Sequence, residues 1–441
     1  MAQSSCSSPE DVLAQAERLR EEGKAASLRA AIGKYEEAAV CWREAGRAAE
    51  QAEALKRAGE IHLTLGEYQE ARVSSEAAVA LLRGVSDHAA TAEALSDLTL
   101  ALMYLGEIEQ AKASADEAVS LARVSGRPGP QANALTSAGM LAYMRGDMQV
   151  ALDSYQQAMP FSTEAGDAAG TARLLVNIGY VHGDVGELDE ALTFYNQALP
   201  LWRAAKQRGG EAGTLTSMGL TYTLLGDTQR ALSCLSEQAL PILREIGDRV
   251  GEAASYNNIG YLYQMLGEYE WALENYQRAF DIYEQIGLVA GQALTIQYVG
   301  GIHELSGRTR EALDCFERSL NWSRQVKNVL MEADALNRLG ALYYALGKRQ
   351  EAYEHYQRAL SIYQQADHLR GQATALNNLG YYFAGVSDWR KALDNYDKAL
   401  KLCRLAGDRT GEASTLYNIA RARGGSGDLD GAREAAESAV T

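Results

Sequence analysis

The amino-acid sequence repeats itself at a fixed interval. The segment NNIGYLYQMLGEYEWALENYQRAF, residues 257–280, returns as NNLGYYFAGVSDWRKALDNYDKAL from residue 377, three times 40 residues later. We number each unit so that Gly260 holds position 8, and an alanine then stands twelve residues after each position 8. Such a chain can bury apolar surface only between neighbouring copies, so the repeat predicts a stack of units with a one-dimensional core. From the second unit to the eleventh, position 8 holds Gly59, Thr99, Gly139, Gly179, Gly219, Gly260, Gly300, Gly340, Gly380 and Ala420.

Within a unit, the apolar residues follow a helical period. Gly267 separates two apolar stripes of the seventh unit, and Gly287 ends the second, as glycine often does at the C-terminus of a helix. Each unit is therefore predicted to be a pair of antiparallel helices. Small residues at positions 8, 20 and 27 allow the two helices to approach closely. The stripes are Tyr256, Ile259, Gly260 and Tyr263, then Ala272, Tyr276, Ala279 and Tyr283.

Two departures from the repeat predict local defects. The interval from Gly219 to Gly260 is 41 residues, and the extra residue falls within 232–238, inside the predicted second helix. A π-bulge is the simplest way for a helix to absorb one added residue. Pro160, Pro200 and Pro241 share one column of the second helices. Since proline lacks an N–H, we expect kinks or early ends in those three helices.

The small and aromatic positions resemble the tetratricopeptide repeat, whose pattern Gly260, Ala272, Tyr276 and Ala279 match. The resemblance extends from about residue 9 to 441, with a unit of 40 residues instead of 34. It implies an all-α, right-handed superhelical α-solenoid of about eleven antiparallel helix pairs. We expect a disordered N-terminal tail at 1–8, a degenerate first pair at 9–46, and a continuous solenoid at 47–441 that is truncated in its last repeat.

The 40-residue unit is similar to the arrays of kinesin light chains, of Pins-type adaptors, and above all of bacterial proteins that carry a caspase-like CHAT domain. Residues 16–46, AERLREEGKAASLRAAIGKYEEAAVCWREAG, resemble the start of such bacterial arrays, and residues 411–440 resemble their last repeat. This likeness implies the regulatory region of a larger bacterial protein. An uncapped last repeat further predicts end-to-end self-association.

Composition and motifs favour binding over catalysis. The formal charge of −16 disfavours nucleic acid, and no apolar run is long enough for a membrane helix. No signal peptide is visible, so a cytoplasmic location is expected. The five cysteines are widely spaced, which predicts reduced structural thiols and no metal site. His182-Gly183 falls at a packing position of its unit. We therefore expect neither a cofactor nor an enzyme.

In the repeat family, positions 2, 5, 6, 9, 12 and 13 of the first helix line a concave groove. Their amides and rings suit a peptide or a partner protein. An alternative is that the asparagines brace neighbouring helices. Carried over to this sequence, the resemblance implies that a partner contacts Asn177, Asn257, Asn258, Tyr261, Asn337, Arg338, Asn377, Asn378, Tyr381 and Asn418.

These features predict a protein-interaction scaffold or sensor that binds a partner in its groove. The alternative function is a peptide-regulated effector with its own enzymatic activity, such as a component of a CHAT protease. A peptide-regulated phosphatase effector would need an additional N-terminal helical module, and the repeat pattern already starts near residue 9.

Overall fold

The computed structural model describes residues 8–21 and 25–439, and in these residues the chain folds into successive antiparallel helix pairs. The first pair is α1 (Pro9–Glu21) and α2 (Ala25–Glu44). The first helices of the later units are α3 (Ala48–Leu65), α5 (His88–Tyr104), α7 (Pro128–Arg145), α9 (Ala168–Asp184), α11 (Arg208–Leu224), α14 (Arg249–Met265), α16 (Val289–Leu305), α18 (Val329–Ala345), α20 (Leu369–Gly385) and α22 (Arg409–Ser426).

The second helices pack antiparallel against these. They are α4 (Tyr68–Gly84), α6 (Ile108–Ser125), α8 (Met148–Glu164), α10 (Leu188–Ala204), α12 (Thr228–Leu232) continued by a π segment (Ser233–Ala239) and α13 (Leu240–Ile246), α15 (Tyr269–Gln285), α17 (Thr309–Gln325), α19 (Arg349–Gln365), α21 (Trp389–Leu405) and α23 (Leu429–Ser438). The predicted all-α solenoid is confirmed. No helix in the described part of the chain has the length and apolar character needed to cross a bilayer.

The glycine at position 8 makes room for the aromatic ring at position 24. A Cβ atom on Gly260 would lie 2.6 Å from Cε1 of Tyr276, whose side chain is fully buried. The same close approach joins Gly179 to Tyr195, and Gly380 to Tyr396. In the third unit, where Thr99 occupies position 8, position 24 holds the small Ala115. The two columns therefore fit each other in size, and this fit sets the distance between the helices of a unit.

Two linkers between units, at 247–253 and 407–413, carry the sequence GDR-x-GEA, and the structure explains its spacing through the contacts of its Asp and Glu. The Asp248 carboxylate accepts a hydrogen bond from the Gly251 N–H at 2.8 Å and so caps α14. Arg244 donates from Nε to the buried Glu252 carboxylate at 2.9 Å. In the preceding linker, burial alone would raise the pKa of the Glu211 carboxyl, but hydrogen bonds from Arg203 and Arg208 lower it below its usual value. The two linkers that bury a glutamate, Glu211 and Glu252, thus satisfy that carboxylate with their own arginines.

The added residue of the sixth unit forms the predicted π-helical defect. Ser233–Ala239 is π-helical, and regular helix precedes and follows it. The proline column behaves differently in its three helices. The helices α8 and α10 run on past Pro160 and Pro200 for a full 17 residues, so neither ends early. A kink at any of the three prolines stays a prediction, and Pro241 directly follows the π segment, in the continuous helix that runs from it into α13.

The solenoid coils until its successive turns touch. The helix turns of units three to five lie against the linkers that precede α18, α20 and α22, about 222 residues later in the chain, which is between five and six units. A Cβ atom on Gly106 would lie 3.3 Å from Cγ2 of Val329, and one on Gly407 would lie 3.7 Å from Cγ1 of Val185. Three ion pairs join the turns: Arg145 with Asp367, Asp184 with Arg370, and Glu187 with Arg409. We call these six residues the clasp.

Candidate functional site

The first helices of the central units enclose a cavity on the inner side of the superhelix. It has a volume of about 360 Å³ and lies between α9, α11 and α14. Its walls include Tyr180 and Asp184 from α9, Ser217 and Leu224 from α11, and Asn258 from α14. In the repeat numbering these residues hold positions 9, 13, 6, 13 and 6. The cavity thus lies on the columns that the family resemblance assigned to the groove.

Several of the predicted asparagines bind each other across neighbouring units. Asn378 donates from Nδ2 to Oδ1 of Asn337 at 3.2 Å, and Asn418 donates in the same way to Asn377 at 3.1 Å. Asn257 exchanges hydrogen bonds of 3.0 and 3.2 Å with the Thr295 hydroxyl of the next unit. Such contacts are the ones that the bracing interpretation requires. These paired amides are satisfied within the stack, so they stabilise the packing of successive first helices.

The degree of burial separates the same residues into two groups. Asn257 and Asn337 are 4% and 7% exposed, which leaves a partner little surface to touch. Asn258 and Tyr261 are half-buried, and Tyr381 is 43% exposed. The exposed Arg338 guanidinium lies 5.9 Å from the ring centroid of Phe316. Among the members that are at least partly exposed, Asn258, Tyr261, Arg338 and Tyr381 lie outside the asparagine pairs described above, and they combine one amide, two phenols and one cation.

Asn177 has an unusual environment among the predicted residues. Its Nδ2 atom is buried and has no hydrogen-bond partner among the described residues. It occupies position 6 of α9, the helix that also supplies Tyr180 and Asp184 to the cavity. A buried donor without an acceptor costs free energy in the empty molecule.

Sequence reasoning named only Asn258 among the residues that line the cavity, and Tyr180 and Asp184 are two of those that it missed. Tyr180 shares position 9 with Tyr261 and Tyr381, so alignment of the columns alone contained the signal. Its phenol oxygen accepts a hydrogen bond of 2.9 Å from the Ser217 hydroxyl of the next unit. Asp184 gave no such signal, because its contacts come from residues that are distant in the sequence. It accepts hydrogen bonds from Tyr143 at 2.9 Å and from Arg370 at 3.0 Å.

The groove is strongly charged at its N-terminal end. Lys56 is buried and paired with Glu53 at 3.0 Å and with Glu93 at 2.6 Å, so its charge is neutralised within the fold. Asp97, in the neighbouring unit, has no such cation in contact among the described residues. Burial raises the pKa of the Asp97 carboxyl well above its usual range, and the nearby Glu60 raises it further. This end of the groove therefore offers no free cationic clamp for a terminal carboxylate.

We expect Asp97→Asn to raise the free energy of unfolding at pH 7. The folded pKa of Asp97 is raised, so its contribution to stability is most favourable below its unfolded pKa, near 4, and falls as pH rises through the folded pKa. Asparagine stays neutral at every pH, so the gain should be present at pH 7 and vanish below pH ~4. Urea unfolding at both pH values measures the difference. The exposed Asp116→Asn is the control, and a gain that is independent of pH would contradict the prediction.

The cysteines and histidines carry structural contacts. Cys234, Cys315 and Cys403 are buried free thiols, and burial raises the pKa of Cys315 and of Cys403 to about 11, so both stay protonated near neutral pH. Cys41 is disulfide-bonded, which corrects the expectation that all five thiols are reduced. Spacing in the sequence does not report which two cysteines lie within bonding distance.

The histidine of the His182-Gly183 pair packs as its repeat position predicts. The His182 ring stacks on Phe194 with centroids 5.1 Å apart, and its Nδ1 lies 2.7 Å from Oε2 of Glu187. Among the residues that the structure describes, no group of three or more histidine, cysteine or acidic side chains is arranged to hold a metal ion.

Comparison with solved structures shows the same architecture elsewhere. A Rap protein complexed with Competence and Sporulation Factor has a TM-score of 0.56 and 15% identity, over 81% of this chain and 99% of that chain. A STAND-type signal transduction ATPase with a tetratricopeptide repeat sensor, from Pyrococcus horikoshii, has a TM-score of 0.46 and 14% identity, over 78% of this chain and 52% of that chain. BtubC from P. vanneervenii has a TM-score of 0.39 and 17% identity, over 52% of this chain and 89% of that chain. At such identities, the first of these likenesses shows a shared fold, and the other two carry no argument.

The family is established by the repeat itself. No curated protein matches the chain. Family models described as tetratricopeptide repeat match residues 97–169, 170–237, 210–285, 292–365 and 371–441, which together span most of the sequence. The matched ranges include the units in which a position-8 glycine packs against a position-24 ring, such as Gly179 with Tyr195 and Gly260 with Tyr276. The chain therefore belongs to the tetratricopeptide repeat family.

Proposed function

We propose that this protein is a non-catalytic interaction module that holds an extended segment of a partner protein in its concave groove. One observation carries the proposal: the fold leaves tyrosines open on the groove columns. Tyr180 and Tyr381 at position 9 are 38% and 43% exposed, and Tyr417 at position 5 is 59% exposed. Large rings that the core does not use are typical of binding surfaces, because a rigid ring gives much contact area at a low cost in conformational entropy.

The chemistry of the groove suggests what the partner presents. Tyrosine faces would pack against apolar side chains, and the free amide of Asn258 can pair with the peptide backbone whatever its sequence. Arg338 would bind an acidic residue of the segment. The asparagines that are already paired, such as Asn337 with Asn378, would support the binding helices from behind.

The larger setting is a second part of the proposal. The likeness of residues 16–46 and 411–440 to arrays of CHAT-domain proteins supports a regulatory region of a larger bacterial protein that works in the cytoplasm. The mass of the native protein, measured after immunoprecipitation from its host, tests this directly. A native mass equal to that of this chain would argue against it.

Selection from a displayed library of random peptides tests groove binding without knowledge of the partner. Peptides enriched on the native protein should lose affinity by about fivefold to a hundredfold on the double variant Asn258→Ala, Tyr261→Ala, because each lost polar contact costs ~0.5–1.5 kcal/mol and a lost ring contact more. Calorimetry with a synthetic copy of one enriched peptide gives the value.

The matched control is Gln277→Ala, Gln357→Ala, which truncates two exposed side chains on second helices, away from the groove columns. Affinity for the peptide should be unchanged in this control, and both double variants should melt within a few degrees of the native protein. Equal losses in the two double variants, or a loss only in the glutamine variant, would place binding elsewhere and reject the groove.

A further inference from the structure

The charges that line the central cavity are of one sign. Its ionisable side chains other than tyrosine are Asp184 and Asp248, and the remaining walls are tyrosine, hydroxyl, amide, glycine and aliphatic groups. The Asp248 carboxylate already accepts the Gly251 N–H as a helix cap. Asp184 is therefore the carboxylate in the wall of this cavity that a cation of the partner could bind.

In the structure, the Asp184 carboxylate is already paired with a cation from the next superhelical turn. Arg370 of α20 donates from Nη1 to Oδ2 of Asp184 at 3.0 Å and from Nη2 to the Asp184 backbone carbonyl at 3.4 Å. The Tyr143 hydroxyl donates to the same Oδ2 at 2.9 Å. Asp184 therefore takes part in both features: it belongs to the clasp, and it is an acidic group in the cavity wall.

Arg370 has an alternative partner when it leaves Asp184. Its Nε lies 3.6 Å from Oδ2 of Asp408, the carboxylate that caps the following helix α22. Arg370 and Asp184 are also both partly exposed, at 30% and 41%, so their ion pair is weak and open to exchange with a cation of similar strength. The remaining clasp pairs are likewise partly exposed, which allows the turns to separate while each helix pair stays folded.

We infer that the cavity receives a lysine or arginine side chain of the partner segment, and that this cation competes with Arg370 for Asp184 and so opens the clasp. Arg370 then acts as an internal stand-in that holds the turns together while the cavity is empty. The inference rests on the proposed groove function and deepens it, because it names the chemistry of one partner residue and the conformational change that follows its binding.

Disulfide trapping measures the clasp directly. A Cβ atom on Gly146 would lie 3.7 Å from the Cβ of Leu369, which is within the range for a disulfide, so Gly146→Cys with Leu369→Cys should cross-link the closed turns under mild oxidation. Met148→Cys with Gly407→Cys, at 3.8 Å, is a second pair in case the first does not fold. The probe is Nα-acetyl-arginine amide, compared at equal ionic strength with the neutral citrulline analogue.

We expect the arginine probe at saturation to slow cross-linking by about threefold or more. The probe binds the Asp184 carboxylate in place of Arg370, and this reduces the fraction of molecules in which the turns are in contact. The citrulline analogue should leave the rate unchanged. Equal rates with both probes would overturn the inference, as would a failure of both cysteine pairs to cross-link in proteins that are otherwise folded.

Binding of the same probe gives an independent measurement. Arg370→Ala should raise the affinity for Nα-acetyl-arginine amide by about threefold or more, because the internal competitor is gone, and Asp184→Asn should abolish binding. Arg404→Ala, which removes an exposed arginine paired with Glu412 outside the clasp, should change nothing. An affinity that is the same in the native protein and in Arg370→Ala would overturn the competition.

The two proposals fail separately. If Asp184→Asn and Arg370→Ala leave the probe unaffected while library peptides still lose affinity in the Asn258 and Tyr261 double variant, only the inference about Asp184 falls. If the probe behaves as expected but no enriched peptide depends on Asn258 and Tyr261, the groove function falls and the inference, which rests on it, falls with it.

Discussion

Gly260→Thr is expected to destabilise the seventh unit by about 3 kcal/mol, because the new side chain overlaps a ring that cannot move. The Cβ alone would lie 2.6 Å from Cε1 of Tyr276, and this ring is fully buried against its neighbours. Truncation of the ring, Tyr276→Ala, should cost about 3–5 kcal/mol through the cavity that it leaves. Each change by itself breaks the size match between positions 8 and 24.

The double variant, Gly260→Thr with Tyr276→Ala, should lose about 2 kcal/mol less than the sum of the two single variants. It recreates the combination of Thr99 with Ala115 that the third unit uses. There the Thr99 hydroxyl donates to the Leu95 carbonyl at 2.8 Å and needs no other partner. Hydrogen exchange of the amides in α14 and α15 gives the local free energy, since a long array need not unfold in one step.

Gly301→Thr is the matched control for this cycle. Gly301 directly follows the position-8 glycine of α16, and a Cβ atom there meets no atom within 4 Å. We expect it to be neutral or to stabilise by up to ~1 kcal/mol, because threonine is a better helix former than glycine. Strict additivity of the two seventh-unit variants would show that positions 8 and 24 do not interact.

The second large effect that we expect is a difference between two deletions inside helices, and deletion of Glu237 is the one that should be tolerated. Glu237 is exposed within the π segment, between Ala231 and Ala239, which hold the small-residue columns. Removing it restores a 40-residue unit and allows an unbroken α-helix in which both alanines keep their positions. The variant should fold and melt within a few degrees of the native protein.

The same deletion in a regular helix should be severe. Gln277 in α15 is equally exposed, but its loss would rotate all later residues of the helix by about 100°. Ile282 and Tyr283 would leave the core, at ~1.5–3 kcal/mol each. Circular dichroism melting of the two deletion variants compares them. If both melt alike, the π segment does not mark a surplus residue.

Much of the molecule follows from the columns of the repeat. Position 8 and position 24 give the helix pairs and their spacing, because each glycine and its ring meet within one unit. The extra residue between Ala231 and Ala239 predicted the π segment, because a surplus residue inside a helix has few other places to go. Pro160 did not predict where α8 ends, since the helix continues past it, and whether a helix can do so depends on the packing around it.

The site was only partly accessible to the same reasoning. At position 6, the half-buried Asn258 lines the cavity, whereas Asn378 is bonded to Asn337 of the preceding unit. One residue type at one column can thus face a partner or a neighbouring helix. The choice depends on how adjacent first helices pack against each other, and the identity of the residue does not report that packing.

The sequence by itself determined the helix pair, its repetition, the fit of Gly260 to Tyr276 and the place of the π segment, because all of these act within one unit or between adjacent units. Only the tertiary structure decided that Arg370 reaches Asp184, 186 residues away. That contact depends on the pitch of the superhelix, which is the sum of small rotations over more than four successive units. The residues at one position of the repeat do not determine this accumulated rotation. The contact between the turns and the charge of the central cavity can therefore be seen only in the assembled stack.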